Sequence, residues 1–382
     1  MTSRLSLRDF SLALALLGVC AFFAVRVPGW SFLSARNLSL LMIDFSVTAT
    51  LAIGMLLVIL PGHIDLSAGS GVGLIGGIAA VLVTERHWPA PLAMLAGLAV
   101  ALALWCAMGN LIVRQRIPAF IITLGGLLVF KGLFWSVIQN HTVPIVPGGR
   151  QNLYSLLTTY YLPPCAGYVA GALVIGGLIF ARLKSRAARR GYGFEIDDAE
   201  LTFLKLFLAA QLVFLFVVIT NQFRGVPLPA LILGAVALAV WVLTQHTPFG
   251  RYLYAIGGNE EAAVVSGIPV ARVTIGAFTL MGAIVALTGF MQTAYGGSST
   301  TTVGDLMELD AVAACVIGGV SLRGGRGSVL GVLCGALIMA CLLNGMSLLA
   351  VEPEKKFIAR GAVLILAVWM DVRLGRGGGA AS

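Results

Sequence analysis

Charged residues are scarce in this sequence: Asp, Glu, Lys and Arg make up 11% of its 382 residues, whereas hydrophobic residues make up 59%. Soluble domains contain about a quarter charged residues, so this composition excludes a soluble globular fold. The hydrophobic residues occur in runs of about twenty, the length of a helix that crosses a bilayer. The alternating ten-residue strands of a transmembrane β-barrel are absent. We therefore predict an all-α, polytopic transmembrane helix bundle that forms one domain over residues 1–382.

Motifs for catalysis, metal binding and nucleotide binding are also missing. The chain has four histidines and six cysteines without C-x-x-C spacing, and it contains no H-E-x-x-H, G-x-S-x-G or Walker A sequence. Its net charge of +9 is explained by basic residues between the hydrophobic runs, which argues against a nucleic-acid partner. We expect neither an active site nor a cofactor or metal on this chain.

Twelve hydrophobic segments are the predicted spans. With the N-terminus in the cytoplasm, sixteen of the 25 Lys and Arg residues fall on the inner side and eight on the outer side, in agreement with the positive-inside rule. Both termini are then cytoplasmic. The number of full spans stays open between ten and twelve, because 61–70 and 309–321 are candidates for half-helices. The predicted spans are 10–27, 38–60, 67–83, 91–112, 118–138, 166–181, 202–220, 229–245, 273–294, 309–321, 328–348 and 357–371.

Two loops are long enough to have structure of their own. The outer segment 139–164 is rich in Pro, Gly and Tyr and predicts an ordered external cap. The inner segment 247–273 predicts a helix of about two turns, because an N-cap and two acids precede a glycine suited to the C′ position. Such a short helix is not stable alone, so we interpret it as a docking helix rather than a simple connector. Its residues are Asn259, Glu260, Glu261, Ala262, Ala263 and Gly267.

The stretch "GHIDLSAGSGVGLIGG" follows Pro61, and the Pro-Gly pair predicts a break between two helices. Asp65 or Ser67 is expected to cap the new helix. The match to G-x-G-x-x-G lacks the soluble strand and the later acid of a nucleotide fold, so we interpret these glycines as a helix-packing stripe. For His63 and Asp65 two roles stay open, a structural one at the helix break and a lining of the solute pathway.

Three further charged residues lie within hydrophobic segments. Asp310, in "MELDAVAACVIGG", repeats the spacing of an acid followed by small residues, which indicates an internal repeat with broken helices, of the inverted kind that transporters use. Lys131 either extends to the interface or faces the pathway or an acid. Asp44, in the second span, is the candidate partner.

Together, "GRYLYAIGGNEEAAVVSGI", "ELDAVAACVIGGVSLRGGRGS" and "GHIDLSAGS" resemble the permease family of bacterial ABC importers for monosaccharides, the ribose, xylose, arabinose and galactose group. "FRGVPLP" and the C-terminal "AVWMD" are most similar to the xylose branch. The resemblance covers nearly the whole chain. It implies a permease in the bacterial inner membrane that lacks enzymatic activity.

The resemblance also implies the partners of this chain. The permease is expected to form a homodimer and to work with a cytoplasmic ABC ATPase that has two nucleotide domains and with a periplasmic sugar-binding protein. The family's "EAA…G" pattern, which docks on the ATPase, aligns with Glu261-Ala262-Ala263 and Gly267. The alternative is a proton- or sodium-coupled carrier that uses Asp44, Asp65, His63 and Lys131.

Overall fold

The structure is a computed structural model that describes residues 7–149, 151–191 and 199–377. Arg4 and Arg150, which enter the charge count above, lie outside the described residues. Within them the chain forms fifteen α-helices and two short strands. The helices are α1 (Leu7–Arg26), α2 (Ala35–Ile59), α3 (Ala68–Thr84), α4 (Ala90–Gln115), α5 (Ala119–Val137), α6 (Leu153–Thr159), α7 (Pro164–Gly191), α8 (Ala199–Asn221), α9 (Leu228–His246), α10 (Pro248–Gly258), α11 (Glu260–Val265), α12 (Val270–Gly296), α13 (Met307–Ile317), α14 (Val329–Leu348) and α15 (Pro353–Gly377). The strands are β1 (Val143–Pro144) and β2 (Ser298–Ser299).

Eight of these helices are long and apolar enough to cross a membrane, namely α2, α4, α5, α7, α8, α9, α12 and α14, and α3 is a shorter apolar helix. The prediction of an all-α, polytopic membrane bundle is therefore confirmed. The predicted break at Pro61 is also confirmed, because α2 ends at Ile59 and α3 begins at Ala68. Helix α13 has 11 residues, about 16 Å, half the thickness of the hydrocarbon core. The half-helix predicted at 309–321 is thus confirmed, with bounds 307–317, whereas a half-helix at 61–70 is wrong, because residues 60–67 form the non-helical break before α3.

The long helices follow the same order twice, as α2 to α5 and as α12 to α15, with a non-helical break after the first helix of each set. Helix α2 packs against α13 and α14, and α12 packs against α3 and α4, so each set holds the first helix of the other. The segment just after α2 (62–64) and the start of α12 line one cleft, and farther from that cleft Gly54 of α2 packs against Ile284 of α12, so these two helices run in opposite directions. Two sets of helices in the same order, whose first members run in opposite directions, are the arrangement expected of an inverted repeat.

Glycines of α3 allow this close packing. A methyl group on Gly71 would overlap the indole ring of Trp105, and one on Gly76 would overlap the backbone of α12 at Gly289. A methyl group on Gly73 would overlap the Val303 carbonyl, just before α13. The interpretation of these glycines as packing positions is confirmed.

An ordered cap closes one end of the bundle. Strands β1 and β2 pair in antiparallel fashion, and Asn152 caps α6 through a reciprocal capping box with Ser155. The hydroxyl of the buried Tyr154 donates a hydrogen bond of 2.9 Å to the Gly76 carbonyl, which ties α6 to α3. We call this end the strand face and the opposite end, which contains α10 and α11, the α11 face.

Candidate functional site: the helix breaks and the α10–α11 segment

The break between α2 and α3 is organised by the buried carboxylate of Asp65. Its Oδ1 accepts hydrogen bonds from the backbone N–H of Ser67 at 2.9 Å and from the Ser67 hydroxyl at 2.6 Å. Its Oδ2 accepts a hydrogen bond of 2.6 Å from the indole N–H of Trp105 on α4. Ser67 occupies the N-cap position, but its hydroxyl is turned to Asp65 rather than to the helix. The carboxylate therefore joins the start of α3 to α4.

The two helix breaks meet inside the bundle. A methyl group on Gly304, in the segment before α13, would overlap the carbonyl of Gly69 at the start of α3. The buried side chain of Glu308 lies against the same Gly69. From the other side, the hydroxyl of Thr123 on α5 donates a hydrogen bond of 3.1 Å to the Ile64 carbonyl. Irregular backbone at membrane depth is tolerated where it is buried in protein or lines a cavity, and transporters place substrate sites at such breaks.

Lys131 pairs with an acid that was not among the candidate site residues predicted from the sequence. Its ammonium group forms an ion pair with Asp305, just before α13, and donates a hydrogen bond of 2.9 Å to the Thr301 carbonyl. The alternative in which Lys131 faces an acid is therefore the one observed, but the candidate Asp44 is not that acid: its carboxylate contacts the hydroxyl of Tyr295 instead. The reason is that α5 packs against α3 and α4, so its lysine reaches the segment before α13 and not α2.

Asp310, in the first turn of α13, forms an ion pair of 3.3 Å with Arg360 on α15. The Asp310 side chain is 8% exposed. Sequence reasoning assigned no role to Arg360. The signal was present, because Arg360 is the only charged residue between Lys356 and Asp371 in the last predicted span.

Helix α11 has the predicted caps at both ends. The Asn259 side chain accepts a hydrogen bond of 2.9 Å from the Ala262 N–H. At the other end Gly267 has a φ of +78°, and the N–H of Ile268 donates a hydrogen bond of 3.1 Å to the Ala263 carbonyl, the geometry of a Schellman cap. Ala263 is buried, whereas Val265 is 89% exposed. Val264 and Val265 thus place two adjacent apolar side chains on the surface of a helix outside the predicted spans.

Helix α10 connects α11 to the break after α2. A methyl group on Gly257 would overlap both the Leu60 carbonyl and the backbone N–H of Gly325. Gly325 itself donates a hydrogen bond of 2.9 Å to Leu60, and the Tyr254 hydroxyl donates one of 2.9 Å to the Gly327 carbonyl. Three backbone segments therefore meet without intervening side chains. We call this contact of Leu60, Gly257 and Gly325 the three-backbone junction; sequence reasoning did not predict it.

A cleft of about 710 Å³ opens beside α11. His63 and Glu260 lie on its wall with Arg116 and Thr274. Burial lowers the pKa of His63, and the Glu260 carboxylate opposes that effect. Among the described residues no group of three His, Cys, Asp or Glu side chains is placed to hold a metal ion.

Residues 37–368 match a family described as "Branched-chain amino acid transport system / permease component". The chain is 38% identical over 367 residues to the xylose transport system permease protein of Escherichia coli K12. The matched residues cover 96% of this chain and 92% of that protein. It is 38% identical over 366 residues to the xylose permease protein of Haemophilus influenzae (96% of each chain) and 33% identical over 358 residues to the ribose import permease protein of Escherichia coli K12 (94% and 92%). No solved structure matches it significantly. The chain belongs to this family of multi-pass membrane permeases and is a transport subunit.

Proposed function

We propose that this chain is the permease subunit of an ATP-driven importer that moves a monosaccharide, foremost D-xylose, into the bacterial cytoplasm. The observation that carries the proposal is the identity to xylose permeases over 96% of the chain. Identity to the ribose permeases is lower, at 33%. The family description names branched-chain amino acids, so it is the relatives that support a sugar as the substrate.

The ATPase partner is inferred from the α11 face. A cytoplasmic ABC ATPase with two nucleotide domains would receive Asn259, Glu260, Glu261, Ala262, Ala263 and Gly267, the residues of α11 and its caps. Both caps are formed without a partner, and the outward Val265 supplies apolar surface for docking. Movement of α11 would reach α2 and the turn before α14 through the three-backbone junction. ATP would bind to the partner, and this chain would carry no cofactor.

The transport cycle is alternating access by a homodimer of this chain. A loaded periplasmic sugar-binding protein would dock on the strand face, and the two inverted sets of helices would open first to one side and then to the other. Three hydrogen bonds already occupy the Asp65 carboxylate, and Lys131 is paired with Asp305. These contacts argue against the rival proton-coupled carrier, which needs groups that exchange protons with the solute pathway.

Uptake of labelled sugars by cells that lack this chain tests the substrate. We expect the restored chain to import xylose faster than ribose, arabinose or galactose, and leucine serves as the control for the family description. Removal of the ATPase gene should abolish uptake. Uptake that survives this removal but stops when the proton gradient is collapsed would contradict the proposal.

Co-purification of the ATPase with the permease tests the docking surface. Glu261→Lys places a positive charge at the N-terminal end of α11 and should strongly weaken the association, while it changes helix stability by less than about 1 kcal/mol. The matched control is Glu354→Lys, since Glu354 is also an exposed acid in the first turn of a helix, α15. Equal losses in both variants would contradict docking at α11.

A further inference from the structure

A groove between α13 and α15 contains the ion pair of Asp310 and Arg360. Its volume is about 180 Å³, many times the ~10–15 Å³ that one water molecule requires. The ring of Phe357 and several aliphatic side chains provide the apolar part of its wall. The lining residues include Leu306, Leu309, Asp310, Phe357, Arg360 and Leu364.

The ion pair leaves hydrogen-bonding capacity unused in this groove. Asp310 Oδ2 contacts an Arg360 nitrogen, but Asp310 Oδ1 and Arg360 Nε are buried and have no hydrogen-bond partner among the described residues. Unpaired polar atoms are costly to bury, so a small rearrangement of either side chain that reaches a polar ligand would be favourable. Asp310 and Arg360 themselves line the groove, which therefore places a carboxylate and a guanidinium beside an apolar wall.

The surroundings extend this polar surface along the segment before α13. Asp305 is 48% exposed and pairs with Lys131. The indole N–H of Trp135 donates a hydrogen bond of 3.2 Å to the Thr301 carbonyl. Helix α5 thus supplies Lys131 and Trp135 to this region, and α15 supplies Arg360 and Phe357. The two helices occupy corresponding places in the two sets.

We propose that Asp310, Arg360 and Phe357 form a binding site for the transported monosaccharide within the membrane. The carboxylate accepts a hydrogen bond from a sugar hydroxyl, the guanidinium donates one to a hydroxyl oxygen, and the ring packs against the apolar C–H face of the sugar. A neutral sugar leaves the charge balance of the ion pair intact. The inference rests on the proposed function, since it assigns a site to that same substrate.

Protection from a thiol reagent tests the site directly. In a chain whose native cysteines are replaced, Leu309→Cys places a thiol on the groove, and Leu330→Cys, on α14 and 70% exposed, is the control. In the assembled complex, xylose should slow the labelling of Leu309→Cys and not of Leu330→Cys. Adding Asp310→Leu, a side chain of similar size that cannot accept a hydrogen bond, should remove the protection. Equal effects of xylose at both positions, or protection that persists with Asp310→Leu, would overturn the site.

Uptake provides a second measurement. Phe357→Ala should lower xylose uptake per assembled complex by about tenfold, the factor that corresponds to loss of a favourable ring–sugar contact. Phe214→Ala, on α8, is the matched control, because the two rings are 54% and 55% exposed. If the unaltered chain imports xylose and Phe357→Ala imports it equally well, the binding site is overturned and the proposed function stands. If the unaltered chain imports no monosaccharide, the proposed function itself fails.

Discussion

Asp65 is a buried acid whose carboxylate is fully engaged by neighbouring groups. It accepts hydrogen bonds from the backbone and hydroxyl of Ser67 and from Trp105. A carboxylate with three donors at fixed distances is suited to hold a break in shape and poorly suited to exchange protons with a solute. This geometry favours the structural role over pathway lining.

Replacement of this acid has a measurable consequence. Asp65→Ala leaves three buried donors without an acceptor and should destabilise the permease by at least about 3 kcal/mol, because each unsatisfied buried group costs about 1–3 kcal/mol. Thermal unfolding of the purified protein measures the effect. Asp44→Ala is the control: that half-buried acid contacts Tyr295, and the loss should be smaller. A variant at Asp65 that unfolds normally but transports nothing would instead indicate a pathway role.

At the scale of elements, α10 and α11 form the part of the chain that can pass movement from outside the spans to the helix breaks. Helix α11 is short but capped at both ends. The end of α10, directly before α11, contacts the residue after α2 and the turn before α14 through the three-backbone junction. Because backbone meets backbone there, a shift of α10 is not absorbed by rotation of side chains. The junction is the rigid link that the proposed mechanism requires.

Neighbouring glycines of α10 test this link. Gly257→Ala introduces a methyl group that overlaps two backbone segments, and overpacking of this kind should destabilise the chain by about 1–3 kcal/mol and reduce uptake. Gly258→Ala is the control, because a methyl group there meets nothing within 4 Å. Thermal unfolding and uptake per assembled complex measure both variants. Equal behaviour of the two would show that the junction has no mechanical importance.

At the scale of the whole molecule, the elements outside the two sets of helices make the two ends of the bundle different. The strand face has β1, β2 and the capped α6, and the α11 face has α10, α11 and the cleft beside them. The positive-inside count predicts that the α11 face is cytoplasmic. If so, the ATPase and the binding protein contact opposite ends of the same bundle.

Labelling with a membrane-impermeant thiol reagent tests this orientation. In a chain without its native cysteines, Val265→Cys should react only in inside-out vesicles, because Val265 is 89% exposed on α11. Leu153→Cys, exposed on α6 of the strand face, should react only in right-side-out vesicles. The reverse pattern would invert the predicted topology and remove α11 from reach of a cytoplasmic ATPase.

Local features of the chain were readable without coordinates. The hydrophobic runs predicted most of the spans, Pro61-Gly62 predicted the break, and Asn259 with Gly267 predicted the limits of α11, because helix length, breaking and capping depend on neighbouring residues. The half-helix at α13 and the packing role of the α3 glycines followed from the same kind of local pattern.

The contacts between distant segments came from the packing of the bundle. The partners of Lys131 and Asp310, the meeting of Gly69 with Gly304 and the three-backbone junction join residues far apart in sequence, and no local rule specifies them. Lys131 shows the difference: its position within a span predicted a need for a partner, but the packing of α5 on α3 decided that the partner is Asp305. A charge that leaves water has to be paired, and the fold determines which group is near enough to pair with it.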